Sequence, residues 1–224
     1  MALARKLRGP AGLMKIGSQL FTAEGPQAVE RIAALGHSIF LDLKYHDIPN
    51  TVASAVRAAV SLPKLRLLTI HTSGGLAMMR AAREAAGTRK SRPKLLGVTI
   101  LTSMDAEEMA RVGYEGSPAI RAVELAKLAK QAGLDGAVAS IHEVRAIREA
   151  CGPEFILLVG GVRPATSATN DQSRIGTPAE AVMAGADYLV VGRPITGAAD
   201  PRAAARAIAK EIHSAARESR KAAP

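Results

Sequence analysis

The sequence predicts an α/β fold in which short parallel strands alternate with outer helices, closed as a (β/α)8 barrel. Three observations carry that prediction. Short apolar runs rich in Val, Ile and Leu recur along the chain, as strands buried on both faces require. Between them lie stretches whose apolar residues recur at helical spacing. Glycines and polar residues gather where the strands end, the face on which barrels of this kind carry their active sites. The 224 residues suit one such domain, and no internal repeat, linker or second core divides residues 1–224.

In order, residues 1–10 form a short basic helix-like segment ending at Gly9-Pro10, and Leu13 to Gly17 reads as a buried strand stopped by its glycine. Gly25-Pro26 opens a helix carrying Ala28, Val29, Ile32, Ala33 and Leu35 on one face, and Gly36 ends it. A strand over 38–44 leads into a helix over 49–61, a strand over 65–71 and a helix over 74–86. A polar loop precedes the strand at 94–101, and helices follow near 106–110 and 119–132. The alternation continues with strand 136–140, helix 142–150 and strand 155–159. After the long loop 160–176 come helix 178–184, strand 187–192 and an Ala-rich helix from Pro201. Seven strands are evident, near Lys15, Asp42, Thr69, Val98, Val138, Leu157 and Val190.

Composition narrows the function. The formal charge of +10 raises nucleic acid as a partner, but the basic residues are dispersed and no compact basic motif interleaves with aromatics. The reading is a solvated basic surface, whose positive field would attract an anionic, phosphorylated substrate. Cys151 is the only cysteine, so no intrachain disulfide or multi-cysteine metal site can form, and it is expected to pack as a small apolar residue. No apolar run reaches the roughly 18 residues of a membrane span, and no secretory signal is visible, so the expected compartment is the cytoplasm. His37, His142 and His213 are expected at the surface, and no His, Cys or carboxylate spacing proposes a metal.

The chemistry centres on Ile39-Phe40-Leu41-Asp42-Leu43-Lys44-Tyr45-His46-Asp47-Ile48-Pro49-Asn50-Thr51. Alternation along a strand puts Asp42 and Lys44 on one face, with Asp47 just past the strand end. Carboxylates and an ammonium this close hold one another's charged forms and can fix a proton donor; the alternative is a surface ion pair. A second cluster, Gly192-Arg193-Pro194 after an apolar strand, offers backbone approach at Gly192 and a guanidinium fork for phosphate at Arg193. Its alternative is a plain strand-to-helix turn. The polar loop holding Gly160-Gly161-Val162-Arg163-Pro164 and Asp171-Gln172-Ser173-Arg174 is long for a compact domain, which marks it as functional. Thr102, in Leu101-Thr102-Ser103, reads equally as a ligand contact or a helix N-cap.

The string Asp-Leu-Lys-x-His-Asp-Ile-Pro-Asn-Thr closely resembles the active-site signature of the orotidine 5′-phosphate decarboxylase family, and the likeness runs in order from Lys15 to about Pro201. The resemblance implies a barrel enzyme, without cofactor or metal, that converts orotidine 5′-phosphate to uridine 5′-phosphate and carbon dioxide. It implies that Lys15, Asp42, Lys44 and Asp47 form an alternating charged array, with Asp42 facing the substrate carboxylate and Lys44 as proton donor. It further implies a homodimer in which Asp47 and Thr51 reach the neighbouring subunit's site. Thr102, Arg163, Gln172, Gly192 and Arg193 match substrate-binding positions, although Gly160 stands where the family usually has Pro. Family members normally begin with one further strand bearing a ribose-binding Asp. A βα unit of roughly 15 to 20 residues is therefore expected ahead of residue 1, a misplaced start being one cause, and the alternative is a genuine variant that closes differently. Two rivals remain. One is a magnesium-dependent sugar-phosphate decarboxylase or aldolase of the same suprafamily, against which Ile48-Pro49-Asn50-Thr51 and Asp171-Gln172 argue. The other is an inactive truncated barrel acting as a basic binding protein.

Overall fold

Apolar runs and amphipathic stretches settle into strands separated by one or two helices in the computed structural model, which describes residues 1–164 and 176–222. The order begins α1 (Ala2–Lys6), β1 (Leu13–Gly17), α2 (Ser18–Glu24), α3 (Pro26–Ala34), β2 (Ser38–Tyr45), α4 (Pro49–Val60), β3 (Leu65–His71), α5 (Gly75–Ala85) and β4 (Lys94–Val98). It continues with α6 (Ala106–Arg111), α7 (Pro118–Gln131), β5 (Gly136–Ala139), α8 (Val144–Cys151), β6 (Ile156–Val159), α9 (Pro178–Met183), β7 (Tyr188–Leu189), α10 (Arg193–Thr196) and α11 (Pro201–Ala222). Seven strands therefore stand among the described residues, as the sequence predicts. The predicted strand at 187–192 shrinks to Tyr188–Leu189, and a helix the pattern did not announce, α2, fills 18–24. Gly25, at φ +61, separates α2 from α3, and Pro26 then occupies the first turn, where its missing N–H costs nothing.

The chain divides into two compact units. The first comprises Met1–Val98 and Leu128–Gly136. Its strands are ordered β1-β2-β3-β4, each neighbour pair parallel, with a helix between successive strands. Ile16, Ile39, Leu41, Leu67, Leu68 and Leu96 are fully buried in it, each worth about 1.5–3 kcal/mol of burial. Both faces of β3 are covered except at Arg66, the pattern that a parallel sheet under helices demands. The second unit comprises Thr99–Lys127 and Ala137–Pro224. Its strands follow in the order β5-β6-β7, and β6 pairs parallel with β7. Strand order that repeats chain order, with parallel pairing and intervening helices, is the connectivity of an α/β barrel, as expected.

Two details differ from expectation or refine it. His37, expected at the surface, is buried: it sits in the turn before β2, and its Nε2–H donates to the Ala4 carbonyl at 2.8 Å under the cover of α1. A local reading misses this because the covering residues lie 33 positions away. Cys151 is buried, as expected. Among the described residues no helix is long and apolar enough to cross a membrane.

At the head of β5 the first unit is stapled by charge. Asp135 accepts two bonds from the Arg92 guanidinium, at 2.6 and 2.9 Å, one from Lys94 Nζ at 3.2 Å and one from the Leu95 amide at 2.9 Å. Burial alone pushes the Asp135 carboxyl up. The Arg92 hydrogen bond, the Leu95 amide and the neighbouring charges outweigh it, so the net shift is downward.

Candidate active site

The charged array forms at the C-terminal ends of β1 and β2, within the first unit. Parallel register sets Gly17 of β1 opposite Asp42 of β2. With no side chain at Gly17, the Lys15 ammonium occupies that space: a Cβ there would stand 3.0 Å from Nζ. Lys15 Nζ thus lies 3.5 Å from Asp42 Oδ2, and Lys44 Nζ donates to Asp42 Oδ1 at 2.9 Å. The Asp42 side chain is only 13% exposed, whereas those of Lys44 and Lys15 keep 34% and 38%. A nearly enclosed carboxylate therefore holds two ammonium groups that can still meet a ligand, and the pairing offsets the cost of enclosing it.

The way Lys44 reaches Asp42 is not the simple alternation that sequence suggests. Between the register pairs Leu41↔Leu68 and Tyr45↔Ile70, three residues of β2, Asp42 to Lys44, face only Thr69 of β3. That bulge re-aims the strand end. Within it Lys44 adopts φ 51, a left-handed conformation that costs a side-chain-bearing residue about 1–2 kcal/mol. Its N–H leaves the ladder and donates to the Thr69 hydroxyl at 3.0 Å, and that hydroxyl donates to Asp42 Oδ1 at 2.9 Å. Sequence reasoning passed over Thr69. The available signal was a hydroxyl inside the apolar run Leu67-Leu68-Thr69-Ile70, two residues before His71 and so on the same face.

His71 closes β3 beside the array, its ring 5.3 Å from that of His46. Burial pushes its pKa down to about 4, electrostatic interaction with His46 and Lys44 adds to this, and Asp42 opposes it. The ring is therefore neutral at neutral pH and adds no third cation next to the two lysines.

Asp47 and Thr51 lie apart from this cluster. Asp47 is exposed, with Oδ1 accepting from the Ile48 amide at 2.6 Å, and no ion pair joins it to Lys44 among the described residues. Thr51 is exposed on the first turn of α4, next to Ile48, a large apolar side chain at 66% exposure.

The remaining candidates among the described residues belong to the second unit. Thr102 is half-buried shortly after β4. Its reading as an N-cap fails, because α6 is capped by Asp105, whose side chain accepts from the Glu108 amide at 2.9 Å. Arg163 is buried after β6, and its amide donates to the Gly176 carbonyl at 2.9 Å, next to the parallel bridge Val162↔Gly176. The absent side chain at Gly176 leaves room for Ile141, which a Cβ there would overlap. Gln172, with Asp171 and Arg174, lies outside the described residues. Gly192 and Arg193 are exposed past β7, where Arg193 and Pro194 open α10. Among the described residues no group of three or more His, Cys, Asp or Glu could hold a metal ion.

Comparison with known proteins finds a matching family and many relatives. Residues 1–208 match the family described as orotidine 5′-phosphate decarboxylase / HUMPS. The orotidine 5′-phosphate decarboxylase of Moorella thermoacetica is 52% identical over 216 residues, covering 94% of this chain and 85% of the relative. That of Nitrosococcus oceani is 50% identical over 212 residues, covering 95% and 91%. Among solved structures, the crystal structure of orotidine 5′-phosphate decarboxylase from Lactobacillus acidophilus superposes with a TM-score of 0.77. It is 38% identical, and the match covers 88% of this chain and 85% of that one.

Proposed function

The chain belongs to the orotidine 5′-phosphate decarboxylase / HUMPS family, and we infer that it converts orotidine 5′-phosphate to uridine 5′-phosphate and carbon dioxide. It is a carboxy-lyase of pyrimidine biosynthesis. The observation that carries the reading of its chemistry is the Lys15–Asp42–Lys44 array, with both ammonium groups held on one carboxylate. Asp42 faces the substrate carboxylate and repels it, a strain relieved as carbon dioxide leaves. The carbon–carboxylate bond breaks, its electron pair stays on the ring carbon, and the Lys44 ammonium delivers a proton to that carbon. Lys44 then regains a proton from solvent. Lys15 offsets the negative charge that accumulates around Asp42.

Binding falls to the other group of residues. Arg193 and the backbone at Gly192 take the phosphate, and Arg163, Gln172 and Thr102 take the nucleotide. Asp47 and Thr51, exposed on this protomer, serve the site of a second copy in a homodimer, which gives their exposure a purpose. The whole chain acts as one catalytic domain in the cytoplasm and uses no cofactor.

The test is the ultraviolet absorbance change as orotidine 5′-phosphate is consumed, with and without chelator. Equal turnover in both is expected. Turnover that needs added magnesium favours the sugar-phosphate branch of the family, and none under either condition sinks the reading. Replacing Arg193 by alanine is expected to raise KM for orotidine 5′-phosphate by about 10- to 100-fold, the effect of one charge-assisted contact, while a ligand lacking phosphate binds as before. An equal loss for both ligands would remove Arg193 from the phosphate site.

A further inference from the structure

One buried hydroxyl ties the two halves of the array together. Thr69 is 0% exposed and is the single β3 residue facing the bulged stretch Asp42 to Lys44. Its Oγ1 lies 3.0 Å from the Lys44 backbone nitrogen and 2.9 Å from Asp42 Oδ1. The direction of both bonds is forced. The amide can only donate, so the hydroxyl accepts there, and its one proton goes to the carboxylate. The same carboxylate oxygen also accepts from Lys44 Nζ at 2.9 Å. A closed ring results: the Lys44 N–H donates to Thr69, Thr69 donates to Asp42, and the Lys44 ammonium donates to the same carboxylate.

We propose that Thr69 is a positioning residue for decarboxylation, its hydroxyl setting both the rotamer of Asp42 and the left-handed backbone from which Lys44 delivers its proton. Two alternatives to this role are poor. Packing alone needs only the shape of a β-branched side chain, which valine supplies. Strand pairing alone needs the backbone, whereas here the Lys44 amide has abandoned the backbone ladder for a side chain. A bulge that displaces two extra residues has several conformations open to it, and a fixed acceptor for the Lys44 amide selects one of them. The hydroxyl touches no reacting atom in this scheme; it acts through Asp42 and Lys44. The proposal rests on the decarboxylase reading of the same site.

The experiment compares Thr69→Val and Thr69→Ser with the wild type, by kcat and KM for orotidine 5′-phosphate, by affinity for uridine 5′-phosphate, and by crystal structures of the variants. Thr69→Val is expected to lower kcat by about 10- to 100-fold with KM and product affinity within about threefold of wild type. Thr69→Ser, which keeps the hydroxyl and loses the methyl, is expected to hold kcat within about threefold. A valine variant with wild-type kcat overturns the proposal. So does a serine variant as impaired as the valine one, since that pattern belongs to packing. If Thr69→Val does not fold, the serine variant decides on the same terms. If the wild type itself does not decarboxylate, the functional reading fails, and the variant structures decide the positioning role. Lys44 leaving its left-handed conformation, or its ammonium leaving Asp42, supports the role; unchanged geometry in the valine variant overturns it.

Discussion

Replacing Lys44 by alanine is expected to lower kcat for orotidine 5′-phosphate by at least about a thousandfold, while affinity for uridine 5′-phosphate changes little. General acid catalysis alone accounts for about 10²- to 10⁴-fold, and a thousandfold loss corresponds to about 4 kcal/mol of barrier. The geometry puts the effect on the chemical step. Lys44 Nζ is engaged by Asp42 at 2.9 Å, and its side chain stays 34% exposed, so it is held yet reachable. Removing it leaves Asp42 with Lys15 at 3.5 Å as its remaining cation in this cluster, so the carboxylate keeps a partner and the fold is expected to survive. Steady-state kinetics beside calorimetric product binding checks both halves. Retained turnover within about tenfold of wild type would take the proton-donor role away from Lys44.

The second large effect is on stability and lies at the other end of the strands. Asp135→Ala is expected to destabilise the protein by about 3–5 kcal/mol, the usual consequence of removing one partner of a buried pair. At the roughly 2–4 °C per kcal/mol typical of a chain this long, the melting temperature falls by roughly 6–20 °C. The Arg92 side chain is 11% exposed and Asp135 10%, so the guanidinium would be left enclosed without its bidentate acceptor. The Leu95 amide would lose its acceptor as well. In the wild type the same network sets a pH dependence. Because the folded Asp135 carboxyl titrates lower than an ordinary aspartate, its contribution is complete above about pH 4 and disappears as the pH falls through the lowered value. Thermal melts of both proteins between neutral and acid pH measure this: the variant is expected to lose less stability than the wild type over that range. Parallel curves would show that Asp135 does not carry the effect.

Most of the molecule was legible in the sequence, and the failures have a common cause. Strand and helix positions follow from the period of the apolar residues, a local property, and those from β1 to β4, α2 apart, match expectation to within a few residues. Asp42 and Lys44 could be paired because two positions along a strand are neighbours, and the ion pair between Lys15 and Asp42 follows from adjacent parallel strands. His37 was misread because the α1 carbonyl that buries it is remote in sequence. Thr102 was left between two readings because a cap is decided by which nearby side chain reaches the helix first, and Asp105 does.

By itself, then, the amino-acid sequence determined the α/β class, the strand count among the described residues, the family and the nearness of Lys15, Asp42 and Lys44, though not the separation of Asp47 from them, because each depends on pattern and spacing along the chain. The tertiary structure alone decided how that array is held. Three residues of β2 crowding against one of β3, a left-handed lysine and a buried threonine hydroxyl joining its amide to the carboxylate are relations between strands. No one-dimensional period encodes them, since the register between two strands emerges only when their side chains compete for the same space.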